Sequence, residues 1–170
     1  MRRPPHLSTA LFFVVTGLVF VAWALLVPVF ESPDEPSHWQ YARHLHDRWE
    51  LPLYRQGFDE ANSPPLYYLA IAPFAAESKL PPMVVVNDVR GQTASLAPPR
   101  NFVNTDRDWT WYRPVLTARL WTALLSLLTV GFVYRAAASL MPGAAALATA
   151  AFAAFLPQFS FRAAAVSNDA

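Results

Sequence analysis

Asp34 and Glu35 are adjacent carboxylates four residues beyond a long apolar tract, and their chemistry is the first thing the chain offers. Paired acids at a helix start can take a proton from an attacking hydroxyl, or share a divalent cation. They can equally complement a helix dipole and cap its free N–H groups, which is the commoner role. His38 lies four residues after Asp34 and three after Glu35, so it shares their helical face. There it would orient a carboxylate or meet a phosphate; a solvated surface histidine is the plainer reading. His44 and His46 are two apart, cannot face one another on a helix, and read as solvated. Arg119 is the one formal charge within the tract 114–134. Such a charge is either functional or snorkels to the interface. Beside Trp111 and Tyr112, its guanidinium suits a lipid phosphate. Asn168 and Asp169 follow the last apolar tract and would lie on the same membrane side as Asp34, although a polar membrane exit explains them as simply.

Composition says what must position these residues. The 170-residue chain is 54% hydrophobic and only 15% charged, against about 25% charged for an ordinary soluble domain. The deficit is concentrated in three tracts. A net charge of +1 with no basic patch excludes a nucleic-acid partner, and the apolar content excludes a disordered chain. With no cysteine there is no disulfide, thiolate metal site or thiol nucleophile, and with four histidines any metal site must lean on carboxylates. Five glycines and the absence of a phosphate-loop, G-x-S-x-G or H-E-x-x-H pattern argue against a nucleotide-binding fold and the common hydrolases.

The expected fold class is all-α membrane: a single membrane domain over 1–170 with spans at about 7–30, 114–134 and 136–161, and an outer loop over 31–113. Leu7–Phe30 would rise about 36 Å, enough for a hydrocarbon core of roughly 30 Å. A cleaved signal peptide competes for this tract, with Ala22-Trp23-Ala24 as its cleavage site, but the apolar run continues through Leu25-Leu26-Val27 and favours an uncleaved anchor. The third tract is alanine-rich, which suits close helix packing in lipid. Arg2 and Arg3 favour a cytoplasmic N-terminus, and Arg135 would open a short cytoplasmic link. The 83-residue loop then lies outside; its eight Lys/Arg do not veto that, because the charge rule governs only short loops.

Within the loop, Ser32 and Glu35 have the spacing of a capping box, so a helix is expected to begin here. Trp39, Ala42, Leu45 and Trp49 form one stripe, expected to lie along the outer bilayer surface as an amphipathic helix. Leu66–Phe74 is too short to span and is expected to be a short re-entrant or interfacial helix packed on the spans. Val84-Val85-Val86 reads as a possible strand, and Trp109, Trp111 and Tyr112 as an interface belt.

Three landmarks in order complete the pattern. Pro33-Asp34-Glu35-Pro36-Ser37-His38-Trp39-Gln40-Tyr41 after the first tract, Pro64-Pro65-Leu66-Tyr67-Tyr68, and Ser167-Asn168-Asp169 after the third together resemble bacterial multi-spanning glycosyltransferases of the C superfamily, the protein-mannosyltransferase and aminoarabinose-transferase relatives. Ser63 departs from that pattern, in which His or Gln often precedes the prolines. The resemblance implies glycosyl transfer from a polyprenyl-phosphate donor at the outer face of the bacterial inner membrane. It implies Asp34, with Glu35 adjacent, as catalytic base on the acceptor. His38, Arg119 and Tyr67 would contact substrate, and Asp169 would contribute to a divalent-cation (Mg or Mn) or phosphate site. The partners implied are membrane lipid and a lipid-linked sugar. Such enzymes usually have ten or more spans, so the chain reads as the N-terminal part of a larger transferase, inactive alone. The alternative is a non-catalytic membrane protein that binds a partner or lipid through its aromatic-rich loop.

Overall fold

The computed structural model describes residues 6–30, 32, 34–53, 57–58, 60–75 and 109–168. They form six α-helices: α1 His6–Leu26, α2 Glu35–Arg48, α3 Pro65–Ile71 with a 3-10 turn at Ala72–Ala75, α4 Trp109–Leu140, α5 Gly143–Ala154 and α6 Pro157–Arg162. No strand occurs among the described residues. Val84–Val86 and Asp169 fall outside them.

Two helices, Leu7–Leu26 and Tyr112–Leu140, are long and apolar enough to cross a membrane. They run antiparallel. Phe13 meets Tyr134 edge-on at 6.0 Å, a Cβ on Gly17 would meet Leu127 at 3.5 Å, and Arg119 reaches the carbonyl of Ala24. The helix α4 passes straight through Arg135, where the sequence predicted a link. Ala136, Ala137 and Ala138 are strong helix formers, and the chain meets its first breaker only at Pro142.

The expected continuous third helix over 136–161 does not form. Its tract is divided at Leu156, which takes an extended ψ of 122° before Pro157. Proline disfavours helical geometry in the residue before it. The chain across the break nevertheless tracks α1 from Phe12 to Trp23: Phe12 meets Phe155, Phe20 meets Phe159 and Trp23 meets Phe161, at 6.3, 6.1 and 5.6 Å. Small residues make the close approach, with Ala123 of α4 in one cluster with Ala150 and Ala154 of α5.

The loop builds a second core above this bundle. Trp39, Ala42 and Leu45 of α2 are buried against Val29, Ile71, Val115 and Val166. The stripe expected to face the bilayer therefore faces protein instead. Only Trp49 of that stripe stays exposed, capping α2 with a left-handed φ of 55°. The cover is supplied by the next helical segment: α3 and its 3-10 turn bring Tyr68, Ile71, Ala72 and Ala75 onto α2. Tyr41 stacks on Tyr68 with ring centroids 3.8 Å apart. Tyr112, expected in an interface belt, is part of this core. The short helix predicted over 66–74 does form and packs on α2 and α4.

Trp39 is the largest fully buried side chain in this core. Trp39→Ala is expected to destabilise the protein by about 3–5 kcal/mol, as such truncations do in well-packed cores, measured by thermal or denaturant unfolding in detergent micelles. Trp49→Ala, at an exposed site, is expected to change it by less than about 0.5 kcal/mol.

Candidate functional site

The site begins where α1 ends. Pro28 has no N–H with which to extend the helix, so the carbonyls of the last turn lose their intrahelical donors. The chain then turns sharply into α2, with Phe30 at φ 67° and Asp34 at φ 63°. Both are left-handed, uncommon for residues other than glycine and a real departure for an aromatic residue. The loop holds this shape because its polar groups converge on two buried side chains from distant parts of the chain.

Those side chains are Glu35 and Arg119, both fully buried and 84 residues apart. The guanidinium grips the carboxylate with two bonds, Nε to Oε1 at 2.7 Å and Nη2 to Oε2 at 2.6 Å. Its other donors go to the end of α1: Nη1 to the carbonyls of Ala24 at 3.1 Å and Val27 at 2.5 Å, and Nη2 to that of Pro28 at 3.0 Å. Arginine has five N–H donors, and each is directed at a protein oxygen. The carboxylate is equally saturated. Besides Arg119 it accepts the Phe30 N–H at 2.8 Å and the Val166 N–H at 2.9 Å. Four chain segments thus meet at one ion pair: the end of α1, the start of α2, the middle of α4 and the segment after α6.

This geometry replaces the expected capping box. Ser32 contributes its carbonyl, which accepts the Glu35 N–H at 3.2 Å, while its hydroxyl is buried without a partner. Glu35 reaches away from the helix start toward Arg119. Arg119, expected to snorkel or to hold a lipid phosphate, sits in the protein interior with no donor left for one.

Asp34 has the opposite environment. It occupies the position before α2, exposed, and makes no side-chain cap hydrogen bond. Its backbone is held on its C-terminal side, by the neighbouring Glu35 pair and by its carbonyl accepting the His38 N–H at 3.0 Å.

His38 is buried, contrary to the surface reading. Its Nδ1 lies 2.7 Å from the Tyr68 hydroxyl and 3.9 Å from the Glu60 carboxylate, and its Nε2 lies 3.5 Å from Ser167 Oγ. Arg162 donates to the same Ser167 oxygen at 3.4 Å. His44, expected to be solvated, is half-buried with its ring edge-on to Phe58 at 4.7 Å, and its Nε2 is buried without a partner. Tyr67 bonds Thr122 at 2.7 Å. Since the threonine hydroxyl donates to the Ala118 carbonyl at 3.0 Å, the tyrosine must donate to it. Burial pushes the Tyr67 phenol well above its ordinary range, which keeps that proton in place.

The structure therefore gathers Glu35, His38, Tyr67 and Arg119 into one polar core, with Asp34 at its edge. Glu60 belongs to that core and carries no sequence signal of its own; Ser167, part of the third sequence landmark, joins it because the broken third tract returns to α2. Among the described residues no three metal-ligating side chains come together, and Glu35 already accepts four bonds. Leu156, Pro157, Gln158, Phe159 and Arg162 line a separate open recess of about 550 Å³ at the break between α5 and α6. No protein-family model matches the chain, and no curated protein or solved structure matches it.

Removing one partner of a buried ion pair leaves the other charge uncompensated, at a cost of about 3–5 kcal/mol. Arg119→Ala and Glu35→Ala are each expected to lose about that much in unfolding free energy. The double variant Glu35→Leu/Arg119→Met is expected to lose less than the sum. A double-mutant cycle on unfolding in detergent checks both.

Proposed function

We propose that this protein transfers a sugar from a polyprenyl-phosphate donor to an acceptor hydroxyl at the outer face of a bacterial inner membrane, as the N-terminal part of a larger transferase. In this reading the N-terminus is cytoplasmic, α1 and α4 cross the bilayer, and α5 with α6 makes a third, interrupted crossing. Non-helical backbone is tolerated at membrane depth where it lines a cavity, and the break at Leu156, with Phe155 to Gln158 exposed, borders the open recess.

One observation carries the proposal: Asp34 is exposed, strained and uncommitted beside an acidic neighbour that is wholly committed. Two adjacent carboxylates are differentiated by environment alone. Glu35 is the fastener. Asp34 is presented in a conformation that costs about 1–3 kcal/mol and that the surrounding structure over-determines, as functional residues often are. In the reaction proposed, the acceptor oxygen forms a bond to the anomeric carbon while the bond from that carbon to the phosphate oxygen breaks. The hydroxyl proton passes to the Asp34 carboxylate, and the polyprenyl phosphate leaves with the bonding pair. Arg119 acts by holding Glu35, and through it the Asp34 backbone. Arg162 is the cation beside an open recess with apolar walls, a combination suited to a lipid phosphate. His38 and Tyr67 shape the floor beneath Asp34. No step here passes through a metal ion.

The test is transfer from a labelled polyprenyl-phosphate sugar in membranes carrying the full-length, active protein. Asp34→Asn is expected to lower the rate 10²–10⁴-fold, about the range of general-base catalysis, with the unfolding transition unchanged. Retention of activity within about tenfold would overturn the assignment and favour a non-catalytic lipid-binding role. Asp34→Gly relieves the left-handed backbone and forfeits no cap, so it is expected to abolish transfer while stabilising the protein by about 1 kcal/mol.

A further inference from the structure

The break between α5 and α6 leaves backbone groups without partners. The Phe155 N–H meets the Ala151 carbonyl, and the next bond in the chain runs from the Ser160 N–H to the Leu156 carbonyl, each at 2.9 Å. Between them, the carbonyls of Phe152, Ala153, Ala154 and Phe155 accept from no donor among the described residues. Pro157 is the cause: it has no N–H for Ala153, and it holds Leu156 in an extended conformation. Carbonyls at a helix end are ordinarily met by caps or by solvent, but Ala154 is fully buried.

Thr16 on α1 is the complementary case. It too is fully buried, and its hydroxyl has no partner. A threonine inside a helix can donate to the carbonyl four residues back, and Thr117, Thr122, Thr129 and Thr149 all do so here. Thr16 does not. It lies on the face of α1 that is turned to the break. Phe12, one turn before it, meets Phe155, and Phe20, one turn after it, meets Phe159. Phe20 also shares a cluster with Ala154. A buried donor without an acceptor and a buried acceptor without a donor therefore meet at one level of the bundle, and they do not bond each other.

We propose that a water molecule is bound at this break, accepting from the Thr16 hydroxyl and donating to the Ala154 carbonyl. A buried water needs two or more polar partners and room to sit. Thr16 and the last-turn carbonyls supply the partners, and the open recess at Leu156, Pro157 and Gln158 supplies the way in. A metal cation suits the same oxygens less well, because α1, α4, α5 and α6 contain no Asp or Glu to balance its charge. Water is neutral and both accepts and donates, as a hydroxyl facing carbonyls requires. Ordered water is also one of the means by which a proline-broken helix is tolerated at membrane depth. The proposal rests on the packing of α1 against α5 and α6 and does not depend on glycosyl transfer.

Two measurements on the whole chain in detergent micelles test this. With the threonine methyl groups isotopically labelled, magnetisation transfer from water is expected at Thr16 and not at Thr129. Thr129 is the control at the same depth, since Gly17 approaches Leu127 and Gly131 approaches Phe13, but it is exposed on the outside of α4 and bonds the Leu125 carbonyl. No transfer at Thr16, or equal transfer at both, overturns the proposal. The second measurement is the unfolding midpoint of Thr16→Val, which keeps the side-chain shape and removes the hydroxyl. Were the hydroxyl dry, the variant would be the more stable protein, because an unsatisfied buried group is gone. With water bound, the midpoint is expected to fall by about 2–4 °C, the effect of one lost hydrogen bond in a chain of this length. A midpoint that rises or stays where it is overturns the proposal.

Discussion

A carboxylate with four donors and a guanidinium with five acceptors, both shut away from water, hold this structure together. Burying such a pair is expensive: the desolvation of two charges is offset only when every lone pair and proton is met. Here each one is met. The consequence is long-range specification. Glu35 cannot be satisfied by α4 alone, because it also needs the Phe30 and Val166 N–H groups. Arg119 cannot be satisfied by Glu35 alone, because it also needs the frayed end of α1. The pair therefore forms in full only when all four segments are in place.

The strained loop between α1 and α2 arises from that requirement. Phe30 and Asp34 take left-handed conformations that neither would favour in isolation. A glycine at either position would relax the strain, but the network supplies enough interaction to hold both in place. The backbone at position 34 is thereby held while its side chain remains in contact with solvent. Electrostatics built into the interior thus becomes placement at the surface.

Aromatic packing extends the same region. His38, Tyr41, Tyr67 and Tyr68 form a stacked and edge-on group between α2 and α3. Their hydroxyl and ring nitrogen atoms bond Thr122 and approach Ser167, so the loop core is tied to the bundle by polar contacts at specific heights as well as by apolar area. This is why α2, which has the pattern of a surface helix, became an interior one: two tyrosines and an isoleucine arrived to cover it.

Much of the architecture was legible from local pattern. Hydrophobic length located α1 and the body of α4 but not where α4 ends, the apolar run after the Pro64-Pro65 pair located α3, and the clustering of acids between the first two apolar tracts marked the polar region. The chemistry-bearing residues were visible as types. What local pattern did not determine was their pairing. Asp34 and Glu35 are equivalent in sequence, each an acid at a helix start; only the arrival of Arg119 and the Val166 N–H, 84 and 131 residues away, separates a buried fastener from an exposed carboxylate. The apolar stripe on α2 was equally ambiguous, since lipid and a protein core are alike to a leucine. Sequence specifies which groups must leave water; the three-dimensional arrangement decides what each one meets when it does, because ion pairs and buried faces are satisfied by whatever neighbour the rest of the chain brings.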